Sequence, residues 1–181
     1  SSVAPSSTGI VAAVGGPPVV VSQDKIQVDI NVPKPHSHGL SHNQYTRFDV
    51  VQRGVVPNNN HSIPAHIILN EVIGAHASHL QGTIAVAGQR ADVIIANPNG
   101  IHCHGCGFYN VHHGVLTTGV PSFFDGRLSG FNVNQGRITI GAEGLVGYHA
   151  ANIDPAHIAL IATGVDIHGK IYAKQNGLNA T

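Results

Sequence analysis

The chain has 181 residues, enough for one domain with a continuous core. Charged residues make up only 10% and the formal net charge is +0, so no basic face invites nucleic acid or an anionic membrane, and no acidic run forms a tail. No apolar stretch approaches the roughly 18 residues of a spanning helix. The 42% hydrophobic content is rich in Val and Ile, with no Trp or Met and with 22 glycines, which disfavours helix and suits short strands joined by tight corners.

The chain starts without Met, among Ser, Ala, Val and Gly residues, and reads as a processed or truncated product. Residues 1–18 carry the breaker Gly15-Gly16-Pro17-Pro18 and read as a loosely held, flexible lead-in. Val19-Val20-Val21 is a strand, and Ile26, Val28, Ile30 and Val32 alternate with polar residues as in a strand with one wet face. Pro33 to His38 breaks the pattern, Phe48 to Val51 and Gly54 to Val56 resume it, and Pro57 to Pro64 reads as an Asn-rich loop. From Ile67 the chain settles into a rhythm: Ile67 to Val72, Thr83 to Val86, Val93 to Ile95, Val115 to Thr118, Leu128 to Val133, Arg137 to Ile140, His157 to Ala162, Val165 to Ile167 and Lys170 to Ala173. Each run is followed by Gly, Asn or Pro, and none carries a capped helical period, so almost no helix is expected.

Short strands at close spacing fit a sandwich or barrel, with longer hairpin-connected strands, or a parallel β-helix, with short runs stacked coil on coil. Phe131 to Gly141 and Ile161 to Ala173 each read as strand, polar corner, strand, which favours the β-helix.

The most closely specified stretch is Ala91 to Phe108. A β-branched run, Val93 to Ala96, enters Asn97-Pro98-Asn99-Gly100 and leaves through Ile101 as a second short strand bearing Cys103 and Cys106. Asn97 tolerates the extended geometry forced before proline, Pro98 fixes φ at the second turn position, and Asn99 and Gly100 can take positive φ. The two cysteines suit a short-loop disulfide in an oxidising compartment or a redox pair in the cytosol, although no βαβ pattern surrounds them.

The combination of Asn97-Pro98-Asn99-Gly100-Ile101, Cys103-x-x-Cys106-Gly107-Phe108 and Leu116-Thr117-Thr118-Gly119 resembles the amino-terminal two-partner-secretion domain of large bacterial exoproteins: filamentous haemagglutinin, secreted haemolysins and contact-dependent inhibition proteins. Gly39 to Tyr45 with Phe48-Asp49-Val50, Ile68-Leu69-Asn70-Glu71-Val72, Leu80-Gln81-Gly82 with Ala87 to Ala96, and Ile171 to Lys174 extend the likeness over most of the chain. The resemblance implies an all-β fold over residues 19–181: a right-handed parallel β-helix with an N-terminal β cap and short extra-helical β elements. It implies export through the periplasm to the cell surface or medium. It implies, as partner, the periplasmic domains of a cognate outer-membrane transporter, and a role in seeding β-helix folding. No cofactor and no catalysis are expected, and Asn97 to Ile101 with Asn70 and Glu71 become the recognition or scaffold residues.

Two departures stand out. Many members carry a further Asn-Pro-Asn-Leu motif on an excursion where this chain passes through Pro57 to Pro64 straight to Ile67. The 14 histidines are the other. The Asn97 turn could form only a corner or could meet the transporter, whose usual mode at a strand edge is β-augmentation. Cys103 and Cys106 could close a disulfide or join His102, His104, His112 and His113 around a metal, but strand alternation points His102 and His104 one way and Cys103 the other. If His36, His38, His42, His61, His66, His76, His79, His149, His157 and His168 are exposed, the surface turns cationic as pH falls through about 6.5. A polysaccharide-acting β-helix enzyme would need paired carboxylates, and Asp24, Asp29, Asp49, Asp92, Asp125, Asp154, Asp166, Glu71 and Glu143 are scattered. An adhesin or carbohydrate-binding module would need aromatic platforms, for which four Tyr and five Phe are available.

Overall fold

The computed structural model describes residues 8–21, 27–145, 155–172 and 178–180. The β-branched runs form β1 (Ile10–Ala12), β2 (Val19–Val21), β3 (Val28–Asn31), β4 (Leu40–Phe48) and β5 (Val56–Asn59), then β6 (Ile67–Val72), β7 (Ser78–Leu80), β8 (Thr83–Ala85) and β9 (Ala87–Gly88). They continue as β10 (Ala91–Ala96), β11 (Ile101–Cys103), β12 (Gly107–Tyr109) and β13 (Val111–Thr117), then β14 (Val120–Phe124), β15 (Arg127–Asn132) and β16 (Arg137–Ile140). The last are β17 (His157–Ile161), β18 (Gly164–Ile167) and β19 (Leu178–Ala180). A 3-10 turn at Ser37–Gly39 is the one helical element among the described residues.

These strands wind as a parallel β-helix. The largest sheet runs β1-β4-β6-β10-β13-β17-β19, and all its pairings are parallel except the first. A second face is β7-β11-β16-β18, also parallel, and Cys106, Leu145 and Ile171 bridge successive coils at the third corner. At the N-terminal end the antiparallel β1–β4 and β2–β3 pairings supply the cap, covering an edge that would otherwise offer unpaired backbone groups.

Register makes the core a set of inward columns. Ser41, Ile68, Val93, Gly114 and Ile158 stack in one, and Asn43, Asn70, Ile95, Leu116 and Leu160 in the next. The outer face of the same sheet is apolar too: Leu40, Leu69, Ile94 and Ala96 form a second cluster, packed on by Ile67, Val115, Leu128 and Phe131. The last two belong to the antiparallel hairpin β14–β15, which projects from the helix and folds over this face. Strands buried on both faces lose their alternation, hence the continuous run at Val93 to Ala96.

Four expectations are corrected. The lead-in 1–18 is tied down in part: Ile10 lies in the core, 3% exposed, because β1 pairs with β4. The loop expected at Pro57 to Pro64 begins as strand: β5 runs to Asn59, paired in parallel with β3 and β9. Phe131 to Gly141 is strand, corner, strand, but only Arg137 to Ile140 lie on a face of the helix, since Phe131 and Asn132 belong to the hairpin. Asn99 does not adopt positive φ, whereas Gly100 does, at 117°. Ile26, Ala173 and Lys174 lie outside the described residues.

Gly114 shows how tightly the inward columns close. A Cβ there would stand 2.7 Å from the ring of Phe108. Gly114→Ala is therefore expected to cost about 1–3 kcal/mol in urea unfolding, the range for an overpacked core. Shortening the ring as well, with Phe108→Leu, should give a double variant less destabilised than the sum of the two singles. Strict additivity would show that the two side chains do not share this space.

Candidate functional site: the Asn97 corner and its neighbours

Asn97 directly follows β10 and its side chain is fully buried, 0% exposed. Its Nδ2 donates to the His76 carbonyl and to Ser78 Oγ, each at 2.9 Å, both on the preceding coil. Its Oδ1 accepts from the Asn99 backbone N–H at 2.9 Å and from Asn99 Nδ2 at 3.0 Å, an Asx turn that shapes the corner. Its own N–H donates to the Thr117 carbonyl of the following coil at 2.9 Å. One asparagine thus fastens three successive coils. Gly100 N–H donates to the Asn97 carbonyl at 3.1 Å, closing the turn, and the Gly100 carbonyl accepts from Ser78 N–H at 3.1 Å.

The outer part of the turn is equally engaged. Asn99 Nδ2 donates to the Gly74 carbonyl at 2.7 Å and Gln135 Nε2 to the Pro98 carbonyl at 3.2 Å. Ile101 is in the core and Gly100 is buried, so of the five residues only Pro98 and Asn99 reach the surface.

Register sets Asn70 and Glu71 beside Ile95 and Ala96, one coil earlier and immediately before the Asn97 corner. Asn70 is buried; its Nδ2 donates to the Ile94 carbonyl at 3.2 Å and its Oδ1 accepts from the Tyr45 hydroxyl at 3.2 Å. Burial pushes the Tyr45 phenol far above its ordinary range, so it stays a neutral donor. Glu71 faces outward, where Oε1 meets His42 Nε2 at 2.7 Å and accepts from Gln44 Nε2 at 3.1 Å. The His42 hydrogen bond above all, helped by Gln44, holds the Glu71 carboxyl below its usual range against the opposing effect of burial. Phe123 of the hairpin lies on the His42 ring, centroids 4.9 Å apart.

Cys103 and Cys106 are bonded to each other, with Cα atoms 5.3 Å apart, and both are buried in the core. Their sulfurs therefore do not converge with His102 and His104, which lie on the outer face with rings parallel and centroids 6.3 Å apart. His79 stacks on His102 at 4.9 Å; burial first, then the neighbouring His79 and His104, lowers the His102 pKa. His112 and His113 lie elsewhere, on β13 beside Asp92. Every described histidine is at least partly exposed, while His149, Tyr148, Asp24 and Asp154 lie outside the described residues.

One organising residue escaped the sequence reading. Asn59, 0% exposed, donates through Nδ2 to the Ala65 and Gln89 carbonyls and accepts through Oδ1 from the Ala65 N–H, each at 2.9 Å. It shapes the 60–65 corner much as Asn97 shapes its own. The available signal was an Asn at the end of a strand, two residues after a proline.

The Glu71 contacts set a pH dependence. A carboxylate held below its unfolded value of about 4.3 adds stability above that value, and the contribution is lost as pH falls through the folded value. Glu71→Gln should be less stable than the parent chain at neutral pH, with the gap closing on acidification below the ordinary glutamate range. Chemical unfolding across pH checks this, and a gap independent of pH in acid would rule the ion out as its source.

A family model described as TPS secretion domain matches residues 2–180. Toxin CdiA of Yersinia pestis is 37% identical over 91% of this chain, and the haemolysin of Serratia marcescens is 36% identical over 90%. This chain spans only 5% and 11% of their respective lengths. The crystal structure of the filamentous haemagglutinin secretion domain superposes with a TM-score of 0.82 at 32% identity, covering 96% of this chain and 63% of that one. With its strands in the same β-helical arrangement and its corner motifs in place, the chain belongs to the family of TPS secretion domains.

Proposed function

We propose that this domain is the segment by which a large exoprotein is selected in the periplasm, by the periplasmic domains of its outer-membrane transporter, and that its coils seed the folding of the β-helix that follows. Family membership supports the transporter partner and export, and the small share of the relatives' length supports a much longer protein. The observation that carries the recognition step is the hairpin β14–β15. Among the described residues it is a sheet of only two strands, with no further strand paired to either outer edge, and it presents Phe124 at 78% exposure with Phe123 and Val120 partly covered beside it. Backbone hydrogen bonds along such an edge supply affinity, and the aromatic tip supplies choice. Seeding is supported by the stacking itself, since each parallel coil templates the register of the next.

On this reading Asn97, Pro98, Gly100, Ile101 and Asn70 serve as scaffold, and Asn99 and Glu71 hold the surface in shape. The adhesin and carbohydrate-binding alternatives draw less support, because Tyr45, Phe48 and Phe108 are consumed by the core. No helix among the described residues is long and apolar enough to cross a membrane.

Secretion into the medium, with the domain co-expressed alongside candidate transporters, tests the proposal. Export that needs no transporter would overturn it. Phe124→Asp should lower export while leaving the unfolding midpoint of the purified domain unchanged. Asn97→Ala strands buried polar partners on two coils and should cost about 2–3 kcal/mol of stability, against roughly 1 for Asn99→Ala, with export falling in the same order. If Phe124→Asp exports normally, the hairpin is not the recognition edge.

A further inference from the structure

Neighbouring residues on a strand normally point to opposite faces, so His112 and His113 should diverge. They do not. The register of β10 with β13 runs Ala91 beside Val111 and then Val93 beside Gly114, so both histidines stand opposite the single residue Asp92. Such a bulge is uncommon between parallel strands, and bulges re-aim side chains. Here the result is convergence: Asp92 Oδ1 is 2.8 Å from His113 Nδ1, His113 Nδ1 is 2.9 Å from His112 Nδ1, and His112 Nδ1 is 3.6 Å from Asp92 Oδ1.

Protons satisfy this triangle poorly. Nδ1 of a neutral imidazole either donates or accepts. If His113 Nδ1 donates to Asp92, whose oxygen also accepts the His113 backbone N–H at 3.1 Å, it has no lone pair to offer His112. A cation at the centre satisfies all three atoms at once. Ligand bonds of about 2.0–2.1 Å in tetrahedral geometry separate ligand atoms by roughly 3.3 Å, and the three observed separations bracket that value.

We propose that Asp92, His112 and His113 form a binding site for a borderline divalent cation of the Zn2+ type, held by one carboxylate oxygen and two imidazole nitrogens with the remaining position open to solvent. The donor set excludes Mg2+ and Ca2+, which favour all-oxygen shells. The side chains are partly exposed, at 31%, 52% and 38%, so an ion can enter and keep a water ligand. His157, in register with His113 on the next coil and stacked on it with centroids 4.9 Å apart, fixes the His113 ring. The ion would tie β10 to β13, one coil to the next, near the start of both strands. The row formed by His79, His102 and His104 offers stacked rings rather than converging atoms, and its carboxylate contact among the described residues is His104 Nδ1 to Glu143 Oε2 at 3.8 Å.

Calorimetric titration of Zn2+ into the metal-stripped domain, near neutral pH where imidazole is mainly unprotonated, tests the site. Parallel titration with Co2+ reports geometry through its visible absorption. The expected result is one tight Zn2+ per chain, a raised unfolding midpoint with Zn2+, and affinity weakened by roughly tenfold or more in both His112→Ala and His113→Ala. His102→Ala should bind as the parent does. Absence of saturable binding, unaltered binding in His112→Ala, or loss of binding in His102→Ala instead would each overturn the assignment.

Discussion

The structure depends on a single constraint: in a parallel β-helix every coil must turn at the same place, or the strands above and below lose register. Asn97 meets that constraint with a neutral side chain whose donor and acceptor atoms are both used. It reaches back to His76 and Ser78, forward within its own turn to Asn99, and through its backbone to Thr117 on the next coil. A buried amide is costly unless satisfied, and a satisfied one admits few alternative packings. Aspartate could not reproduce the pattern, since it lacks the donor. Neither could leucine, which would leave two carbonyl or hydroxyl partners and an N–H without their bonds.

The same logic recurs at lower stringency around the helix. Asn70 links its own coil to Ile94 above and Tyr45 below, and Asn59 shapes the corner at 60–65. The inward columns between these points are filled by Ile, Leu and Val, with Gly114 left open for Phe108. Apolar burial supplies most of the driving force but is indifferent to register. The buried amides supply little net energy yet distinguish the native register from one slipped by a residue, which would put each amide on the opposite face. The outer face adds a second apolar layer because the hairpin covers it, bringing Leu128 and Phe131 onto Leu69 and Ile94.

How much of this the sequence reveals follows from which features are local. The Asn97 turn is legible because proline, glycine and the Asx geometry act within four residues, and the strands β6, β10 and β16 because β-branched runs act within six. The hairpin β14–β15 was only half legible: Leu128 to Val133 reads as a strand, within one residue of β15, but Val120 to Phe124 carries a proline and exposed aromatics, and its pairing is fixed by the partner strand. The strand character of Pro57 to Asn59 was hidden because parallel partners at β3 and β9 override the local signal of Pro and Asn. The convergence of Asp92, His112 and His113 was invisible, since it depends on one extra residue in a bulge between segments that are distant in the chain. Strand alternation, a sound rule, separates those histidines, and the register shift suspends it.

A division of labour between inside and outside follows. The motif residues that carry the sequence resemblance are mostly buried: Asn97, Ile101, Cys103, Cys106, Phe108 and Leu116 are each at most 2% exposed. A partner cannot read side chains it cannot touch, so these residues can act on recognition only through the shape and rigidity of what they hold. On the proposed function, choice among partners rests with exposed groups: the hairpin edge, the Phe123–Phe124 tip and the histidine rows of the outer faces. A substitution inside changes whether the helix exists, whereas a substitution outside changes what an intact helix meets. The two kinds of variant are separable because a corner saturated by its own hydrogen bonds transmits little of a surface change inward.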